Sequence, residues 1–154
     1  MGFQMPIKKG FFKPHNPDRY QGDPTNIVYR SSWERKMMFW LDTNSAVEWW
    51  KNEEVSLPYF DKTRGHPGRY FPDFVVKFKN GQTIMVEIKP KAQTMMPTKK
   101  NDSKSGMMKY MKECVTFAKN QCKWEAATKY CEERNWKFVV FNEEHLGITY
   151  NEKH

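Results

Sequence analysis

Asn80-Gly81 lies between two runs that both read as β-strand: Tyr70-Phe71-Pro72-Asp73-Phe74-Val75-Val76-Lys77-Phe78 before it and Thr83-Ile84-Met85-Val86-Glu87-Ile88-Lys89 after it. Both runs are rich in aromatic and β-branched residues, which suit a pleated, half-buried surface. Asn-Gly favours a tight hairpin turn because both residues tolerate positive φ. The chain is thereby committed to an antiparallel pair over 70–89. Pro72 has no N–H to give, so it fits the mouth of its strand and not the middle.

The length of the turn decides what the hairpin can do. A two-residue Asn80-Gly81 loop pairs Lys79 with Gln82 and sets Asp73 opposite Ile88, which sends Glu87 and Lys89 to the other face. A three-residue Lys79-Asn80-Gly81 loop, with Gly81 left-handed, pairs Phe78 with Gln82 and sets Asp73 opposite Glu87. Lys89, two residues from Glu87, then shares their face. Both loops are chemically allowed, and only the second builds a site. Two facing carboxylates suit a hard divalent cation such as Mg²⁺. Such a cation polarises a phosphate oxygen and lowers the pKa of bound water. A lysine one pleat along can orient that water or stabilise developing charge. The product would be a hydrolysed phosphodiester. The competing reading is a salt bridge among Asp73, Glu87 and Lys89 on an exposed sheet face.

Around the hairpin, Ser31 followed by Glu34 has the spacing of a capping box, and Trp33, Met37, Trp40 and Leu41 continue at helical spacing until Asp42-Thr43-Asn44. Glu34 either completes that cap or points toward the carboxylate pair. Ala46 to Trp50 and Val55 to Tyr59 read as strands around a turn at Asn52, and Gly65, Pro67 and Gly68 read as a loop. Residues 90–106 read as a lysine-bearing loop. Two helical stripes follow, Met107 to Ala118 and Trp124 to Cys131, with a break near Asn120, and Trp136 to Phe141 is a last buried strand. Residues 1–30, rich in Pro and Gly, read as an extended arm that is not a packed element. The whole is one domain of 154 residues, arm 1–30 and core 31–150, in an α/β layer arrangement.

Composition narrows the partner. Lys and Arg number 26 against 18 Asp and Glu, a formal +8, while aromatics at 16% exclude a disordered basic tail. No apolar run reaches the ~18–20 residues of a membrane span, and Met1 to Gly10 lacks the apolar stretch of a secretory signal. Cys114, Cys122 and Cys131 have no CxxC spacing and read as reduced thiols on helices. Part of the charge is local: Lys91, Lys99, Lys100, Lys104, Lys109 and Lys112 stand against Asp102 alone. This stretch, with Lys91, Lys99, Lys100 and Lys104 foremost, either follows a phosphate backbone or is a solvated loop.

At Pro72-Asp73 and Glu87-Ile88-Lys89 the chain resembles the PD-(D/E)XK nuclease superfamily. Tyr29-Arg30-Ser31-Ser32-Trp33-Glu34 and Arg69-Tyr70-Phe71-Pro72-Asp73-Phe74 are similar to the N-terminal domain of the endonuclease subunit of heteromeric bacterial transposases. A resemblance to the head completion nucleases of T-even phages runs over nearly the whole chain, including Asn16-Pro17-Asp18-Arg19-Tyr20 and Trp136 to Phe141. The resemblance implies a restriction-endonuclease-like fold, a central mixed β-sheet flanked by helices. It implies Mg²⁺-dependent cleavage of double-stranded DNA, with Mn²⁺ as a substitute. Asp73 and Glu87 would be metal ligands, Lys89 the catalytic lysine, and Glu34 the acid that completes the site.

With no partner-binding extension expected beyond residue 154, the head-completion resemblance outranks the transposase one. It implies action on packaged DNA or its ends before tail attachment. The partners would be phage capsid portal or neck proteins and no membrane, and the location the phage head or neck in the virion and the host cytoplasm. The alternatives are a structural DNA-binding connector or plug at the portal, or a generic repair or junction-type nuclease. The intact acid, acid and lysine set opposes the first, and the lack of a recognisable dimerisation helix opposes the second.

Overall fold

The computed structural model describes residues 9–52 and 55–147. In chain order it contains β1 (Gly10–Phe12), β2 (Ile27–Tyr29), α1 (Ser32–Thr43), β3 (Val47–Asn52), β4 (Leu57–Asp61), β5 (His66–Tyr70), β6 (Phe74–Phe78), β7 (Thr83–Ile88), α2 (Lys104–Glu133) and β8 (Lys137–Phe141). Short 3-10 turns occupy Pro17–Arg19 and Lys91–Thr94.

The central sheet has the order β3-β6-β7-β8. β6 pairs antiparallel with both β3 and β7, and β8 runs parallel to β7. β7 is buried at every one of its six positions because it has a strand on each side and a layer on each face. Alternation along β6 and β7 divides the core in two. Phe74, Val76, Ile84, Val86 and Ile88 face α1, packing with Trp33, Met37, Met38 and Leu41. Val75 and Met85 face the other way, toward Ala127 and Cys131 of α2. This mixed sheet between helical layers is the restriction-endonuclease-like arrangement expected from the sequence.

Both helices are capped as their sequences require. The Ser31 hydroxyl accepts the Glu34 amide at 3.1 Å, and the Ser103 hydroxyl accepts the Gly106 amide at 3.0 Å. Such caps are each worth about 1 kcal/mol. α2 is one unbroken helix of 30 residues, about 45 Å long. The break expected near Asn120 is absent, and Asn120 is instead one of its buried residues. The helix stops at Asn135, whose φ of 58° takes the left-handed region, and the Trp136 amide folds back to the Cys131 carbonyl at 2.8 Å. All three cysteines lie on α2 as free thiols.

Three other expectations give way. Asn52 is not a turn residue: it ends β3 opposite Phe74, and its side chain bonds the Tyr20 hydroxyl and the Val28 carbonyl. Pro67 and Gly68 are not loop residues but members of β5, which pairs with β4 as a separate two-stranded sheet. Gly68 is needed there because a Cβ would fall 2.8 Å from the Tyr59 ring on the paired strand. Residues 1–8 of the expected arm lie outside the described residues, but from Gly10 onward the segment is packed. Phe12, Tyr20 and Ile27 are buried in the α1-side core, with the Tyr20 and Trp50 rings edge-on at 4.8 Å. Pro and Gly density signalled tight turns correctly, and the intervening apolar residues outweighed it.

Candidate active site

The turn between β6 and β7 is the three-residue one. The Phe78 amide donates to the Gln82 carbonyl at 2.8 Å, and the Gly81 amide donates back to the Phe78 carbonyl at 3.0 Å. Gly81 has a φ of 92°, and the Asn80 side chain accepts the Gln82 amide at 2.9 Å. The ladder continues Lys77↔Thr83, Val76↔Ile84, Val75↔Met85, Phe74↔Val86. One further step in that register is Asp73 and Glu87. Counting alternately from the hydrogen-bonded Phe78–Gln82 pair, this is a non-hydrogen-bonded position, where facing side chains approach most closely.

The ladder itself stops before that step. Pro72 would be the partner of Ile88 and has no N–H for the Ile88 carbonyl. The Ile88 amide is instead taken by the Asp73 carboxylate at 2.7 Å. The long run Tyr70–Phe78 therefore splits: Tyr70 closes β5 in one sheet, Phe74 opens β6 in another, and Phe71-Pro72-Asp73 forms the link.

Burial and mutual repulsion set the charge state. Burial pushes the Asp73 carboxyl well above the usual carboxylate range, and the neighbouring Glu87 charge raises it further against the pull of the Ile88 amide. Glu87, 8% exposed, is raised mainly by burial, with Lys89 opposing. The two carboxyls lie within hydrogen-bonding reach of each other. Two desolvated carboxylates held together form an unfavourable pair that a cation would relieve. Beside Glu87, the Tyr70 hydroxyl and the Trp124 indole N–H are buried without a well-aligned hydrogen bond. The carboxylate oxygens of Asp73 and Glu87 are the hard ligands that suit a divalent cation.

Lys89 is half-buried and acts electrostatically on both carboxyls. Two residues escaped the sequence reading. Tyr70, whose own ionisation is suppressed by burial and by the Glu87 and Asp73 charges, walls the pair. Lys123 of α2 lies over the Tyr59 and Tyr70 rings at 5.9 and 5.8 Å. Burial holds its ammonium below the usual lysine range, with Lys119 and Lys89 adding repulsion. The signal for it was present: Lys119, Lys123, Ala127 and Cys131 recur every fourth residue, on one helical row.

Glu34 stands apart. It is buried in the first turn of α1, its carboxylate 3.4 Å from the Ser31 hydroxyl, on a helix that packs against the opposite face of the sheet. Among the described residues no three His, Cys, Asp or Glu side chains group as a metal site, so Asp73 and Glu87 stand as a pair. The loop lysines also divide. Lys91 is tied to Glu144 at 3.0 Å and Lys99 to Asp102 at 2.8 Å. Lys100 borders a shallow surface depression with Asn101 and Lys109, and Lys104 opens α2. Among the described residues, no helix is long and apolar enough to cross a membrane.

A known protein and a family model each match this chain over most of its length. The head completion nuclease of Enterobacteria phage T4 is 38% identical over 138 residues, which cover 89% of this chain and 92% of that protein. The family model described as TnsA-like endonuclease N terminal matches residues 44–143, a span that includes Asp73, Glu87 and Lys89 and begins after Glu34. With matches of that length, the chain belongs to the TnsA-like endonuclease N-terminal family.

Proposed function

We propose that this endonuclease is a Mg²⁺-dependent endodeoxyribonuclease, with Mn²⁺ as a working substitute, that acts on double-stranded DNA during phage head completion. The observation that carries the reading is the register of the β6–β7 hairpin, which leads Asp73 and Glu87 to facing positions at the end of the ladder. In this reading Asp73 and Glu87 hold the cation, and the Ile88 carbonyl, which Pro72 cannot serve, supplies a further oxygen. Once bound there, such a cation would supply Lewis acidity toward a phosphate oxygen and a more acidic water. Lys89 orients that water and offsets charge on the phosphorus-bound oxygens. Glu34 is proposed as an accessory acid.

Lys91, Lys99, Lys100 and Lys104 are proposed to contact the phosphate backbone, which positions DNA without reading its sequence. The similarity to the phage T4 protein supports a role on packaged DNA or its ends, in contact with portal or neck proteins, in the virion and the host cytoplasm.

The test is cleavage of linear and circular DNA by the full chain, in Mg²⁺ and in EDTA. Cutting is expected in wild type with Mg²⁺ only. Asp73→Ala and Lys89→Ala should each lose it by at least about 100-fold while still binding DNA. Undiminished cutting by Asp73→Ala would refute the site.

A further inference from the structure

We propose that the β4–β5 hairpin is a DNA-engaging ribbon that seats the duplex beside the carboxylate pair, an inference that rests on the nuclease reading and extends it. The hairpin stands outside the central sheet and has two unlike faces. Leu57 and Tyr59 turn inward and pack with α2, Met85 and Val75. Pro58, Phe60, Pro67 and Arg69 turn outward, with Pro58 opposite Arg69 and Phe60 opposite Pro67. Phe60 is 55% exposed, and so is Phe71, two residues past Arg69. An exposed phenylalanine gains nothing from water, so this face suits an occupant with both apolar and anionic surface.

Charge and continuity name that occupant. The hairpin carries Lys62, Arg64 and Arg69 against a single acid, Asp61. Asp61 is buried and used internally: its side chain accepts the Thr63 amide at 3.0 Å, and its carbonyl accepts the Gly65 amide at 2.8 Å. Lys119 of α2 adds an ion pair to it at 3.9 Å. The tip holding Lys62 and Arg64 is therefore preset, and its outward charge is wholly positive. A two-stranded ribbon is narrow enough for a DNA groove. Phenylalanines wedge against base steps and sugar edges where cations alone cannot. From His66 to Asp73 the chain spans at most about 24 Å, less than one duplex turn, so a duplex held by the tip reaches the carboxylates. Phe71 is separated from Asp73 by Pro72 alone.

The experiment measures binding of the full chain to a fluorescent duplex in EDTA over a salt series, and cleavage of the same duplex in Mg²⁺. Lys62→Ala with Arg64→Ala should weaken binding about tenfold and flatten the salt slope by about 1.8, the share of two phosphate contacts. Phe60→Ala should weaken binding about fivefold with the slope unchanged. Both changes lie at exposed positions, and a melt run alongside reports folding. Wild-type affinity and slope in both variants would overturn the ribbon, and wild-type cutting would then leave the nuclease reading standing. Lost binding in the variants, with a wild type that binds but never cuts, would support the ribbon and overturn the nuclease reading.

Discussion

The Asp73 carboxylate closes on the Ile88 amide at 2.7 Å, so one side chain both caps the end of a β-ladder and faces Glu87. The two tasks respond differently to substitution. Asp73→Asn keeps an oxygen acceptor for Ile88 and removes the confrontation with Glu87. Asp73→Ala also strands the amide, at a further cost of about 1–2 kcal/mol.

The pH dependence follows from the same pair. Burial, with the Glu87 charge acting on Asp73, raises both carboxyls above their unfolded values, so the folded chain binds their protons more tightly. Their contribution to stability is full below the unfolded values, near pH 4, and is lost as pH rises through the folded ones. In EDTA at pH 7.5, Asp73→Asn should therefore exceed wild type by about 1 kcal/mol or more. The gap should shrink toward pH 4, and Mg²⁺ should raise the Tm of wild type only. Thermal melts over pH 4–8 check this; parallel curves for the two proteins would contradict it.

Gly81 tests the turn. Its φ is 92°, and a Cβ at this position would meet nothing within 4 Å, so Gly81→Val introduces backbone strain and no clash. A loss of about 1–2 kcal/mol in urea unfolding is expected, with cleavage at low temperature retained. A neutral result would mean that the turn relaxes to another form.

Asp42 fastens the N-terminal segment. It is fully buried, and its carboxylate accepts the amides of His15 at 2.7 Å and Asn16 at 3.0 Å. Its carbonyl takes Arg19 at 2.8 Å. Asp42→Ala should cost about 2–3 kcal/mol and expose residues 10–20 to protease before the core opens. Global unfolding without early cleavage there would show that the segment is held by Phe12, Tyr20 and Ile27 alone.

Lys100 and Lys104 should matter more for DNA than Lys91 and Lys99, whose charges are offset by Glu144 and Asp102. Alanine at the first pair is expected to flatten the salt slope of binding by about 1.8. Alanine at the second pair should flatten it by less. Equal slopes would mean that the ion pairs open on binding.

The hairpin and its acids were legible because a β-ladder is arithmetic: once Gly81 is left-handed, the register carries Asp73 to Glu87 without further information. The cap at Ser31 was legible because it is local. What escaped depended on long-range packing. Pro67 and Gly68 look like loop residues until Tyr59 arrives across the hairpin to use the missing Cβ. Asn52 looks like a turn until Tyr20, 32 residues earlier in the chain, supplies a hydroxyl partner. Lys123 acts on Glu87 only because α2 runs unbroken past Asn120 and lies across that face of the sheet.

Pro72 has a mechanical consequence. A residue with an N–H there could extend the ladder and keep β5 and β6 in one straight strand. With proline the chain leaves one sheet and enters another within three residues, and the rigid ring allows little play in that passage. Force applied to the hairpin tip is then delivered to the Asp73 backbone through a short, stiff coupling. A duplex bound to the ribbon as proposed would thus load the backbone of Asp73 through Phe71 and Pro72.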